Sequence, residues 1–271
     1  MRKLRSRISH DHESDRAYLI EMDPSDFPAI IPFMEELADA NGYSKLFAKV
    51  PAKYLPAFLN SGYLIEAFVP CFYDGKEDAV FLVKYFSEER KRPEGDSLEK
   101  FQQMLLIPPE PLTFPLDTDY DIRALGEPDV RQMVTVFCEV FETYPFPIFD
   151  PEFIIKTMDK NSTYYFGAFF RGNLVAISSA ECCCVNRNAE MTDFAVVPEH
   201  RGRQLALHLL SYMEKKLFRE GFITLYTIAR LNSLPMNKTF YRMGYKYLGS
   251  LINNTQISGK IESMNVWYKI L

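Results

Sequence analysis

Apolar positions along this chain repeat with two different spacings, and the way those spacings alternate predicts mixed strands and helices. Ala17 to Met22 is a short run of strand type. The helix expected behind it has Asp23 as N-cap, Pro24 in the first turn and Asp26 near the positive end, with a core stripe of Phe27, Ile30, Ile31, Met34, Leu37 and Ala38. A second short helix is predicted over Pro51 to Leu59. Two strands, Tyr63 to Val69 and Ala79 to Phe86, flank a turn at Tyr73-Asp74-Gly75-Lys76.

The pattern then gives way to charge and proline, from Glu88 to Pro93 and again at Pro108, Pro109 and Pro111, with one helical stretch near Leu98 to Leu105. This divides the chain into a polar tail at 1–16, a smaller α/β domain at 17–90, a linker at 91–115 and a larger domain at 116–271. In the larger domain a strand at Tyr120 to Ala124 precedes a helix at Pro128 to Phe141, a Tyr144-Pro145-Phe146-Pro147 loop and a short helix from Pro151. Strands follow at Tyr164 to Phe170, Leu174 to Val185 and Glu190 to Val197. A long helix with the stripe Ala206, Leu209, Leu210, Met213 and Leu217 ends at Gly221. Last come a strand (Phe222 to Ala229), a helix (Pro235 to Met243) and two strands, Tyr245 to Gln256 and Ile261 to Ile270, joined at Ser258-Gly259.

Composition narrows the function classes. A formal net charge of -5 gives no general attraction to nucleic acid or anionic lipid, so a small-molecule partner is favoured. No apolar run is long enough to span a membrane, and residues 1–15 lack the hydrophobic segment of a secretory signal, which together predict a cytoplasmic protein. Cys182, Cys183 and Cys184 alternate between strand faces as reduced thiols would. No Cys and His spacing suits zinc, so no metal is expected; His10 and His12 fall in the tail, where a solvated, mobile terminus is expected.

The candidate chemistry lies in Phe194 to Ala206. Here a strand, a tight turn and a helix start bring together Arg201, Gly202 and Arg203. A helix begun this way aims unpaired N–H groups and partial positive charge at one point, which suits a pyrophosphate, and the arginines can add contacts to phosphate oxygens.

On these residues the chain resembles the GNAT superfamily of N-acetyltransferases, whose acetyl-CoA loop reads Arg or Gln, two residues, Gly, one residue, Gly or Ala. Arg201 and Ala206 match, and Gln204 stands at the usual middle glycine. Asn232 to Asn237, followed by Phe240-Tyr241-Arg242-Met243-Gly244-Tyr245, is similar to the superfamily's later helix along the pantetheine. The resemblance implies a GNAT fold in the C-terminal half and acetyl-CoA as co-substrate. It also implies a cofactor surface made by Phe194, Val196, Arg201, Gly202, Arg203, Gln204, Leu205, Ala206, Asn232 and Asn237. The first domain's order of strand, helix, strand, helix and two strands loosely matches part of that fold, so a degenerate GNAT-like half is one reading of it; a lid over the active-site cleft or a homodimer contact are others.

An amine attacks a thioester only when neutral, so a base is needed near the acceptor. Glu190 sits where the histone-acetylating branch carries its glutamate base, with Asp193 as competitor. A regular strand would point the two to opposite faces. Tyr241, one residue past the family's usual tyrosine, is the candidate acid for the thiolate.

Tyr144 to Ile148, Tyr245-Lys246-Tyr247, Leu251 to Asn254 and Glu262 to Tyr268, together with Ile65-Glu66-Ala67 and Lys84-Tyr85-Phe86, are similar to the bacterial and archaeal β-lysine N-acetyltransferases. That resemblance implies acetylation of the N6 amine of L-β-lysine, giving the osmoprotectant N6-acetyl-β-lysine. Such a substrate needs polar anchors and an apolar slot, for which Asn253, Glu262, Asn265, Tyr144 and Phe146 are candidates. Another small amine (a polyamine, diamino acid or aminoglycoside) and a non-catalytic acyl-CoA-binding module remain the competing readings.

Overall fold

The computed structural model describes residues 4–93, 95–110, 115–144, 146–160, 162–257 and 259–271. Pro111, Pro145 and Ser258, named in the sequence reading, lie outside them.

Two mixed sheets organise the described residues. The first has the order β1-β2-β3-β5-β4 and is built from β1 (Arg7–Asp11), β2 (Arg16–Glu21), β3 (Lys45–Pro51), β4 (Leu64–Tyr73) and β5 (Glu77–Tyr85). Helix α1 (Ile30–Asn41) connects β2 to β3, and α2 (Leu55–Asn60) connects β3 to the edge strand β4. After α3 (Ser97–Leu105), the second sheet has the order β11-β12-β10-β9-β8-β7-β6. Its elements are β6 (Tyr120–Ala124), α4 (Val130–Val140), α5 (Pro151–Asp159), β7 (Thr163–Phe170), β8 (Asn173–Cys183), β9 (Asn188–Val196), α6 (Leu205–Arg219), β10 (Thr224–Arg230), α7 (Leu234–Arg242), β11 (Lys246–Ile257) and β12 (Lys260–Ile270). No described helix is long and apolar enough to cross a membrane.

Two local expectations change. Arg7–Asp11 is not a free tail but the edge strand beside β2, and His10 Nδ1 lies 2.8 Å from the Tyr43 hydroxyl. Backbone pairing holds this strand, with Ile8 its one apolar residue packed on the core. The Asp26 carboxylate adds to the hold by accepting from the Arg5 and Ser6 N–H groups at 2.8 and 2.7 Å, so hydrophobic spacing had nothing to report. The first helix also begins later than expected: Asp23 caps only a short turn, with its carboxylate 2.8 Å from the Ser25 N–H. Pro28 keeps Phe27 extended (ψ 138°), and α1 starts at Ile30.

The two domains share a topology. β2-α1-β3-α2-β4-β5, with β2 parallel to β3 and sheet order β2-β3-β5-β4, repeats β9-α6-β10-α7-β11-β12 with its order β9-β10-β12-β11. The first domain thus has the plan of a GNAT half. Where the second domain has its arginine turn, the first has Asp23 and Asp26, carboxylates that repel phosphate.

One face of the first sheet buries α1 and α2. The opposite face packs Phe47, Ala67, Val69 and Phe81 onto Tyr226, Leu251, Met264 and Val266 of the second sheet. The domains approach so closely where β11 passes β4 that a Cβ on Gly249 (φ 149°) would lie 2.0 Å from the Glu66 carbonyl oxygen. Helix α3, within the expected linker, is docked too: Phe101 is buried with its ring 5.9 Å from Trp267.

Candidate active site

The strands β9 and β10 pair at only three rungs, Asn188–Thr224, Ala189–Leu225 and Glu190–Tyr226. Beyond Glu190 they part. β9 continues along β8 as far as Val196, and β10 along β12 as far as Arg230, leaving a wedge between them. A bulge on β9 accompanies the parting: Ile177 faces Ala195 but Ser179 faces Thr192, so β9 carries one extra residue, and Asp193 turns to φ 54°. Along the wedge the outer edge of β9 is released from β10, so its main chain can pair with an extended ligand that carries amides.

At the end of the wedge stands α6. Gly202 (φ 78°) and Gln204 (φ 60°) fold the turn, and the first helical bonds run from the Leu207 and His208 N–H groups to the Gln204 carbonyl at 3.0 and 3.2 Å. The Leu205 and Ala206 amides precede those bonds and face out of the helix end, as a diphosphate requires. Arg201, Gly202 and Arg203 are exposed around it. Arg201 Nε donates to the Val196 carbonyl at 3.1 Å, and His200 Nδ1 lies 2.7 Å from the Tyr120 hydroxyl, which pins the turn to β6. A left-handed glutamine costs roughly 1 kcal/mol relative to glycine, the reason glycine is usual here. The Gln204 side chain accepts from Arg242 Nη2 at 3.3 Å. Main-chain donors plus two cations fit a CoA diphosphate.

The acidic side chains gather at the mouth of the wedge. Glu181 lies directly across from Glu190 on the β8–β9 ladder, so both project from one face. Contrary to the regular-strand expectation, Asp193 joins them: the bulge returns its side chain to Ser179, whose hydroxyl donates at 2.5 Å, and the Tyr144 hydroxyl donates to the other oxygen. Burial raises Glu190, with Lys49 and Tyr226 pulling the other way and Asp193 adding to the rise. Glu181 is pushed up to about 8 by burial and then by Glu190 and Asp193, with Lys49 and Arg7 opposing. The Glu181 side chain nonetheless reaches the surface at the mouth of the wedge. Asp193 is also raised by burial, against its three hydroxyl donors Ser179, Tyr144 and Thr192.

Several residues singled out from sequence have structural partners. The Tyr241 hydroxyl donates to the Leu105 carbonyl at 3.3 Å, tying α7 to α3. Asn237 is fully buried and saturated: its Nδ2 donates to the Arg230 and Ser233 carbonyls, and its Oδ1 accepts from Asn265 Nδ2 and Trp267 Nε1, all at 2.9 Å. Asn253 Nδ2 holds the Arg90 and Arg92 carbonyls at 3.0 and 2.7 Å, and Glu262 receives Arg230 Nε at 2.8 Å and Nη2 at 2.5 Å. Asn232 is exposed at the β10–α7 turn and, with Asn253 and Glu262, lines a 110 Å³ cavity. Phe194 packs edge-on against Phe240, 5.6 Å between centroids, and Phe146 is exposed on the loop after α4. A 590 Å³ cavity elsewhere, between β7, α5 and the end of α6, contains none of these candidates.

Ser179, Glu181, Tyr226 and Lys49 escaped the sequence reading. For Glu181 a signal existed, an acid just past the uncharged run Leu174 to Ala180; for the others only strand pairing could have found them.

Comparison with known proteins fits this geometry. Residues 129–245 match the model of the acetyltransferase (GNAT) family. The chain is 36% identical over 261 residues to a β-lysine N(6)-acetyltransferase of Methanococcus maripaludis, covering 95% of this chain and 93% of that one. It is 30% identical over 266 residues to the N-acetyltransferase YodP of Bacillus subtilis, covering 97% and 95%. Among solved structures, the spermidine N-acetyltransferase of Vibrio cholerae in complex with CoA and spermine superposes with a TM-score of 0.50 at 20% identity, covering 57% of this chain and 96% of that one, a likeness of fold. With its parted strands, its helix-end turn and these relatives along nearly its whole length, the chain belongs to the GNAT family and is an acetyl-CoA-dependent N-acetyltransferase.

Proposed function

We propose that the protein transfers the acetyl group of acetyl-CoA to the N6 amine of L-β-lysine, yielding N6-acetyl-β-lysine. The supporting observation is the group of Glu181, Glu190 and Asp193 at the point where β9 and β10 part, three carboxyl groups raised by burial whose ionised forms a substrate with two ammonium groups stabilises. Extended identity to a protein named for that reaction supplies the substrate.

In this reading acetyl-CoA supplies the thioester, held by the α6 turn through the Leu205 and Ala206 amides, with Arg201 and Arg203 beside the phosphates. Glu190 takes a proton from the N6 ammonium. The freed amine attacks the acetyl carbonyl, the C–N bond forms and the C–S bond breaks; of the two protons the nitrogen gives up, one passes to the departing thiolate and the other to solvent. A carboxylate raised by burial is a stronger base than a solvated one, which suits deprotonation of an ammonium. Acetylation removes one positive charge, so the product is held less strongly by the three acids than the substrate. Tyr144 has a further role here: by donating to Asp193 it fixes that carboxylate and leaves Glu190 as the base.

The test is a panel of L-β-lysine, L-lysine, spermidine and simple diamines with acetyl-CoA, following thiol release and locating the acetyl group by mass spectrometry. If β-lysine is turned over no better than lysine or spermidine, the assignment is lost.

A further inference from the structure

Every lysine described between residues 4 and 93 forms an ion pair except one. Lys45 pairs with Glu66, Lys53 with Glu77, Lys76 with Asp74, Lys84 with Glu35 and Lys91 with Glu88. Lys49, half-buried, has no such partner among the described residues. Two positions beyond Phe47 on β3, it projects from the face that packs on the second domain. Its ammonium lies 5.3 Å from the centroid of Phe72 and 5.6 Å from that of Tyr226. Tyr226 is the residue directly opposite Glu190. An unpaired cation thus stands on an aromatic floor one strand away from the base.

The position is fixed by bonds that cross between domains beside that rung. Asn188 Nδ2 donates to the Phe72 carbonyl at 2.8 Å, the Thr224 hydroxyl to the Cys71 carbonyl at 2.8 Å, and Arg187 Nε to Asp74 at 2.6 Å. Asn188 and Thr224 form the first shared rung of β9 and β10. The first domain therefore holds Lys49 in a set relation to the acids.

We propose that Lys49 receives the carboxylate of the acceptor, so that the first domain makes the enzyme selective for a diamino acid over a diamine. This rests on the β-lysine reading. The three acids face the ammonium groups, and Lys49 offers the remaining end of the molecule its counter-charge. Aromatic rings beneath the ammonium exclude water, which strengthens a charge-assisted bond to a carboxylate. Arg16, on the same face of β2 as Tyr18, is the nearest competitor, with a buried Nη1 that lacks a hydrogen-bond partner among the described residues.

The experiment compares L-β-lysine with 1,4-diaminopentane, the same molecule without its carboxylate, on wild-type protein and the Lys49→Met, Lys49→Arg and Arg16→Gln variants. Wild type is expected to prefer β-lysine by roughly tenfold or more in kcat/KM. Lys49→Met should lose that preference through KM for β-lysine, with any change that comes from the lost charge beside Glu190 shared by both acceptors and so absent from their ratio. Lys49→Arg should restore most of the preference. A wild type that uses both acceptors equally overturns the β-lysine reading and the role of Lys49 together. A wild type that prefers β-lysine, with the preference intact in Lys49→Met or lost only in Arg16→Gln, overturns the role of Lys49 alone. A loss shared by both acceptors in Lys49→Met, with their ratio unchanged, also overturns it, because Lys49 would then act through Glu190 or the domain interface alone.

Discussion

Glu190 and Tyr226 form the last shared rung of β9 and β10, and immediately beyond them the strands diverge. The base candidate therefore stands where main-chain pairing stops and ligand pairing can begin, with the phosphate turn at one end of the wedge and the acids at its mouth.

Replacing this base should separate chemistry from binding. Glu190→Gln is expected to lower kcat by about a hundredfold or more at neutral pH while calorimetry finds an unchanged affinity for CoA. Retention of near-full turnover would remove Glu190 from the reaction.

The acid cluster makes stability depend on pH in a defined direction. Glu181 is lifted to about 8 by burial and then by Glu190 and Asp193, well above an unfolded glutamate near roughly 4.3. A group raised on folding contributes stability that is present below the unfolded value and lost as pH climbs through the folded one. Glu181→Gln should therefore raise Tm relative to wild type more at pH 9 than at pH 5. An equal difference at both pH values, measured by thermal melts, would rule out this ionisation as the cause.

The turn before α6 offers a gain. Gln204 holds a left-handed backbone, so Gln204→Gly should relieve strain of roughly 1 kcal/mol and raise Tm by a few degrees. It also lets the main chain of the turn come closer to a diphosphate, and acetyl-CoA should bind more tightly. A lower Tm would mean that the contact from Arg242 outweighs the strain.

Asn237 should behave as structure. Asn237→Ala leaves the buried Asn265 Nδ2 and Trp267 Nε1 without an acceptor, while the Arg230 and Ser233 carbonyls keep their main-chain donors, a loss of roughly 3 kcal/mol in urea denaturation. The protein that remains folded should keep its KM for acetyl-CoA. A large rise in that KM with normal stability would instead make Asn237 a cofactor contact.

The order of elements, the arginine turn and the base candidate were legible in the chain because each depends on neighbours in sequence: a period of two or 3.6 residues, a helix start, a single strand. The extent of the first helix was overestimated for a local reason, Pro28, and the edge strand Arg7–Asp11 was missed because backbone pairing leaves no apolar signature. Asn237, Asn253 and Asn265 look alike as polar residues, and only their packing shows each amide already engaged inside the fold.

By itself, the sequence determined that an arginine-bearing turn and an open helix end would follow the strand bearing Glu190, since a few consecutive residues suffice to build that turn. Tertiary structure decided which groups share the site. Strand pairing sets Glu181 across from Glu190, the bulge turns Asp193 to join them, and the packing of two sheets brings Lys49 from about 140 residues away. Those neighbours follow from long-range register and burial, which no local pattern encodes.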